Sequence, residues 1–188
     1  MKLLAIILSI LSAFFSNLET KTLQSDFSLR IQEDQQVPAN YTGSITMRGQ
    51  CFTFEMADNR AAYDGKTMYV YSEETEELTL TEPTKEELTE SNPLLFAQAV
   101  VEACTVKEET DKDGVHTLIT LVPEDEANIG VNRLVLKIRT SDLMPIQLDV
   151  REKSKVTTLK MTNPKFVTKT PSFTIEPEET TFVNDLRF

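Results

Sequence analysis

The run Gly43-Ser44-Ile45-Thr46-Met47-Arg48-Gly49-Gln50-Cys51-Phe52-Thr53-Phe54-Glu55-Met56 decides the fold class. Apolar side chains fall on every second position on both sides of a turn, and period two is the signature of a strand with one buried face. Gly43, Ile45 and Met47 share a face on the first strand, as Phe52, Phe54 and Met56 do on the second. Arg48-Gly49-Gln50 between them reads as a turn, because glycine accepts positive φ without a Cβ clash.

Outward from this hairpin the same period continues. Phe27, Leu29 and Ile31 alternate with Ser28 and Arg30 upstream; downstream, Asp64-Gly65 is a strong short-range hairpin signal leading into Met68-Tyr69-Val70-Tyr71. Leu78 and Leu80 follow an acidic turn, Glu73–Glu77. The pattern stops at Glu82-Pro83. Thr84 with Glu87 has the spacing of a capping box, and Asn92-Pro93 places an N-cap residue before a proline at the first helical position. Two short helices are expected, over 84–91 and 93–104. In the second, Leu94, Leu95, Phe96, Ala97, Ala99, Val100 and Val101 leave almost no polar face, so it must be covered nearly all round.

Alternation returns after an acidic linker, Lys107–Gly114, in Val115–Leu121, in Leu134, Leu136 and Ile138, in Ile146, Leu148 and Val150, and in Val156, Leu159 and Met161. Phe173 with Ile175 is expected to close the sheet between Pro171 and Pro177. About ten strands with two helices inserted near the middle make a mainly β, α+β domain: an antiparallel barrel or strongly curled sheet with a helical insert.

Residues 1–16 stand apart. Lys2 supplies a small positive region and Leu3–Phe15 an apolar run of the length found in a secretory signal, too short to cross a bilayer comfortably, which takes about 20 apolar residues. Export to the periplasm is expected, with 17–188 forming one domain. No small-x-small pair precedes Asn17, so an uncleaved anchor remains the alternative.

Composition excludes several function classes. The 188 residues hold 19 Lys+Arg against 30 Asp+Glu, a formal net charge of −11, and no basic stripe that would displace counterions from phosphates, so nucleic acid is a poor partner. One histidine and two cysteines cannot furnish a His/Cys zinc site or a disulfide scaffold. Cys51 and Cys104 are permitted a disulfide by an oxidising compartment, but nothing in the sequence brings them together. His116 has no second histidine or matched nucleophile, and the carboxylates of Glu73, Glu74, Glu76, Glu77, Glu86 and Glu87 lie in runs typical of solvated loops. With no tryptophan to form a sugar platform, a glycosidase reading has no support. Neither catalysis, a metal nor a cofactor is expected.

The stretch Tyr63-Asp64-Gly65-Lys66-Thr67-Met68-Tyr69-Val70-Tyr71-Ser72, followed by Glu76-Glu77-Leu78-Thr79, resembles a segment of the periplasmic outer-membrane lipoprotein carriers of the LolA type. Asp26-Phe27-Ser28, Gly43–Gly49, Asn92-Pro93-Leu94-Leu95 and Ser172-Phe173-Thr174-Ile175 are similar to further segments of that family in the same order and at matching distances. The resemblance spans about Leu23 to Glu178. It implies an incomplete β-barrel whose apolar cavity is covered by a helical lid and takes up lipoprotein acyl chains. The implied partners are an inner-membrane release complex and an outer-membrane acceptor, and the expected state is a monomer. The family carries a longer helix before its first strand than the 17–23 segment provides, and an Arg-Pro turn where this chain has Arg48-Gly49.

On this reading the cavity is lined by Phe27, Leu29, Ile45, Met47, Phe52, Phe54, Met56, Met68, Val70, Leu134, Leu136, Ile138 and Leu148. Leu94, Leu95, Phe96 and Val100 form the lid, and Arg48, by the resemblance, is the latch that bonds lid backbone in the closed state. Without the resemblance each of these is an ordinary core or turn residue. A carrier of some other apolar ligand, and a filled barrel serving only as an interaction domain, are the competing readings.

Overall fold

The computed structural model describes residues 2–125 and 130–187; Met1, the first residue of the expected leader, lies outside the described residues. Helix α1 (Lys2–Thr20) leads into β1 (Thr22–Glu33), β2 (Ala39–Arg48), β3 (Cys51–Met56), β4 (Asn59–Tyr63), β5 (Met68–Ser72) and β6 (Glu77–Thr81). The insert follows: α2 (Lys85–Ser91), α3 (Pro93–Val100) and a 3-10 turn (Val101–Ala103). Strands β7 (Cys104–Thr110), β8 (His116–Pro123), β9 (Val131–Arg139), β10 (Met144–Glu152), β11 (Lys155–Val167) and β12 (Phe182–Asp185) complete the chain.

All twelve strands belong to one sheet in the order β12-β6-β5-β4-β3-β2-β1-β11-β10-β9-β8-β7, so β12 and β7 are open edges and the barrel is incomplete. Every neighbouring pair is antiparallel except β12 with β6. The register confirms the decisive hairpin: Ile45 lies opposite Phe54 and Met47 opposite Phe52. Gly49 has φ 55° in the turn between them.

The Asp64-Gly65 hairpin forms as its sequence predicts, with Gly65 at φ 105°. The Asp64 carboxylate accepts the backbone N–H of Lys66 at 2.9 Å and of Thr67 at 2.8 Å, and the Tyr69 hydroxyl at 3.0 Å. Thr84 caps α2 through a complete capping box with Glu87, and Asn92 Oδ1 caps α3 by accepting the Leu94 N–H at 3.0 Å.

Several expectations are corrected. The second helix ends at Val100 rather than Cys104, and Cys104 opens β7. That strand, with β4 and β12, brings the total above the expected ten. The linker reading of Lys107–Gly114 fails because its charges sit on the edge of the sheet, where exposed side chains protect an unpaired strand from pairing with other chains. Phe173 and Ile175 are not in a strand. The segment carrying them crosses the outer face of β5 and β6, where Ile175 packs on Tyr71, Leu78 and Leu80.

One large apolar cluster fills the inner face of the sheet. It includes Phe14 and Leu18 of α1, Leu94, Leu95 and Ala97 of α3, and core residues from β1–β3, β5 and β8–β11. No helix among the described residues is long and apolar enough to cross a membrane.

Candidate functional site

Alternation puts the expected lining residues on one face and curvature brings them together. Met47, Leu134 and Ile138 are fully buried, and Phe27, Ile45, Phe52, Met68, Leu136 and Leu148 are nearly so. Leu29, Phe54 and Met56 are half-buried against the same cluster. Val70 lies apart: it shares the inner face with Met68 but is 43% exposed.

The aromatic centre of this face depends on a glycine. Phe27 lies opposite Gly43 across the β1–β2 pair, and its ring stacks on Phe54 at 4.7 Å between centroids. A Cβ at Gly43 would stand 2.6 Å from Phe27 Cζ and collide with the Glu55 carbonyl oxygen, so only glycine lets that ring lie across β2.

The four residues expected to form a lid lie against the inner cluster. Leu94 is 1% and Leu95 5% exposed, while Phe96 and Val100 are half-buried against the inner cluster. Among the described residues every hydrogen bond made by Thr84–Val100 stays within that segment. Among the described residues, this helical segment is therefore held to the sheet by apolar contact alone. Asn92, between the two helices, is 2% exposed, and its Nδ2 has no hydrogen-bond partner among the described residues. An unpaired buried donor of this kind costs about 1–3 kcal/mol, which lid opening would return by admitting water.

Among the described residues, three openings lie beside the helical insert. One of ≈ 500 Å³ lies between Pro93 and Phe96 and the strand residues Val131, Val150 and Thr157. A second, of ≈ 440 Å³, is bounded by Gln50, Tyr63, Leu88 and Leu95. The third, ≈ 430 Å³, is lined by Phe52, Phe54, Ala61, Met68, Val70 and Leu186. Each falls within the range of small-molecule pockets, about 300–1,000 Å³. Four of the expected lining residues, Phe52, Phe54, Met68 and Val70, thus meet open space here.

Arg48 departs from its expected role. Its guanidinium donates to Thr170 Oγ1, at the start of the crossing segment, rather than to lid carbonyls. It ties the end of β2 to the C-terminal segment instead.

Sequence reading missed the α1 side of the site. Leu11 is 3%, Phe14 0% and Leu18 2% exposed, all within the inner cluster, and Phe15 packs alongside. Their spacing of three and four residues is the detectable signal: it is helical periodicity inside a run that otherwise reads as uniform.

Away from the interior, Asp111, Asp113 and His116 form a carboxylate–imidazole cluster. Lys137 Nζ already occupies its cationic position, 2.5 Å from Asp111 and 3.3 Å from Asp113. His116 Nδ1 lies 2.6 Å from Asp113. Backbone donation from Val115, then the His116 side chain, holds the Asp113 carboxyl well below the usual carboxylate range. Cys51 and Cys104 are free thiols, and burial, then nearby carboxylates, pushes both above the ordinary thiol range, away from nucleophilic reactivity.

No family model matches the sequence, and no curated protein matches it. Among solved structures, an uncharacterized conserved protein from Thermus thermophilus is 15% identical with a TM-score of 0.62, covering 96% of this chain and 98% of that one. A LolA superfamily protein from Nitrosomonas europaea is 9% identical with a TM-score of 0.42, covering 87% of this chain and 97% of its own. LprF from Mycobacterium bovis is 10% identical with a TM-score of 0.48, covering 91% and 97%. The first of these likenesses shows the fold, an open sheet with helices against its inner face.

Proposed function

We propose that this chain is a non-enzymatic periplasmic carrier that receives lipoprotein acyl chains against the inner face of its sheet and moves them between membranes. The observation that carries the reading is the attachment of the lid. Thr84–Val100 makes no hydrogen bond to the sheet among the described residues, so an acyl chain replaces its contacts apolar for apolar, with no polar bond to break.

Hiding an acyl chain from water is favourable by about 0.8 kcal/mol per CH₂, so capture by any adequate apolar surface is easy. Release is the harder step. It requires an empty state nearly as favourable as the loaded one, and a lid whose leucines refill the vacated surface supplies that state. The inner-membrane donor and outer-membrane acceptor belong to this proposal through the family resemblance.

The test is native extraction followed by mass spectrometry of whatever remains bound. Triacylated peptides are the expected species. Other lipids would make the chain a carrier of a different apolar ligand, and purification with nothing bound, together with no uptake of a fluorescent acyl probe, would leave only an interaction domain.

A further inference from the structure

The apolar segment that reads as a disposable leader is built into the folded domain. Helix α1 buries Leu11, Phe14 and Leu18 at helical spacing, while Ser12, Ser16, Glu19 and Thr20 face solvent. A segment recognised only for its apolar length has no need of such a division. The burial of Phe14 is complete.

Two further contacts fix the helix in place. The Leu18 carbonyl accepts the Gly49 N–H at 2.7 Å, joining the end of α1 to the β2–β3 turn. Beyond the helix, Lys21 Nζ sits 5.7 Å from the centre of the Phe166 ring at the end of β11. α1 packs against β1, β2 and the edge strand β7. Strands β2 and β7 are separated in the sheet by β1, β11, β10, β9 and β8, so α1 spans the mouth of the open barrel.

We infer that Leu11–Thr20 is retained in the exported, folded protein as the fixed wall of its interior, and that any leader processing cuts before Ile10. A cut after Ser16 would remove Leu11, Phe14 and Phe15 and open the apolar surface along β2 and β7 to water. Retention also supplies the helix before the first strand that 17–23 is too short to form.

Two measurements on the full chain test this independently of any lipid. In the first, Phe14→Asp is compared with Ser12→Asp in protein purified without export. Each places one carboxylate in the same apolar run, so a mere leader would tolerate both equally once folding is measured. The expected result is that Phe14→Asp lowers the melting temperature by about 10 °C or more, or abolishes cooperative unfolding, while Ser12→Asp stays within about 2 °C and Phe14→Leu restores most of the loss. Equal, small shifts for the two aspartates would overturn the inference. In the second, the mass of folded protein recovered from the periplasm of a Gram-negative host gives its first residue. A start at or before Ile10 is expected, and folded protein starting at Leu11 or later would overturn the inference. Failure to find bound lipid would leave both measurements unaffected.

Discussion

Helices α1 and α3 lie over the same inner face, but α1 is tied to the sheet by the Gly49–Leu18 backbone hydrogen bond, whereas α3 is tied only to Asn92 and its own turns. Both bury their apolar residues about equally well: Phe14 and Leu18 on one side, Leu94 and Leu95 on the other. The difference teaches that burial alone does not distinguish a wall from a lid. What separates them is whether polar bonds must break when the element moves, because a polar bond broken inside an apolar interior is repaid only if water or a ligand atom replaces it.

The largest expected effect separates the two helices directly. Phe14→Ala leaves a cavity in a fully buried site and is expected to cost about 3–5 kcal/mol, with or without an acyl ligand. Leu94→Ala is expected to cost about 2–4 kcal/mol in empty protein but much less in loaded protein, since a displaced lid no longer fills that site. Urea unfolding of both variants with and without a bound acyl probe checks this, and an equal ligand-independent loss in both would erase the distinction.

The next effect sharpens the location of uptake. Phe54 is half-buried and lines the ≈ 430 Å³ opening. Phe54→Gln is expected to weaken acyl-probe binding about 10- to 100-fold, the equivalent of losing one aromatic contact, while the melting temperature falls only a few degrees. Full binding with a large melting loss would assign Phe54 to the core alone.

A smaller effect acts on Asn92, between α2 and α3. Asn92→Ser keeps an N-cap oxygen for α3 but removes the orphaned Nδ2 donor, and is expected to favour the closed lid by about 1 kcal/mol, slowing probe uptake severalfold. Stopped-flow uptake reads this, and faster uptake would contradict the role given to the unpaired Asn92 donor.

The smallest concerns acid. The Thr84 N–H and then its hydroxyl bond the Glu87 carboxylate and hold it below the usual carboxylate range. Because the folded-state value is depressed, this cap's contribution is fully present above the unfolded value of about 4.3 and is lost as pH falls through the folded one. Hydrogen exchange is expected to show α2 amides losing protection below about pH 4 before those of α1 do.

Much of this comparison was legible in the sequence, and the reasons for the rest are physical. The period-two runs through Gly43–Met56 and Leu134–Ile138 fix which residues face inward, because a one-residue slip would turn every one of them outward. Thr84 with Glu87 and Asn92 with Pro93 mark their helix starts by local hydrogen-bond chemistry, which needs no tertiary context. By contrast, β7 was hidden by Lys107, Glu108 and Glu109, since an edge strand displays the composition of a loop. Phe173 and Ile175 alternate like a strand because both bury their side chains, but Ile175 does so against an outer sheet face rather than in a ladder. α1 was masked by its apolar run, in which helical periodicity and leader hydrophobicity overlap. Arg48 acquired its Thr170 partner through a contact 122 residues away in sequence, which no local pattern encodes.

The parallel pairing of β12 with β6 has a kinetic consequence. Phe182 lies opposite Glu77 and Asp185 opposite Leu80, so the strand closes a loop of roughly a hundred residues for four residues of ladder. Closure that long for so little return makes β12 the last strand to join and the first to leave. Until the segment that shields both has emerged into the folding compartment, β6 keeps its hydrogen-bonding edge open and Leu78 and Leu80 uncovered. The nascent chain is most exposed to mispairing in that interval, and a helper that binds unpaired strands would act on β6 then.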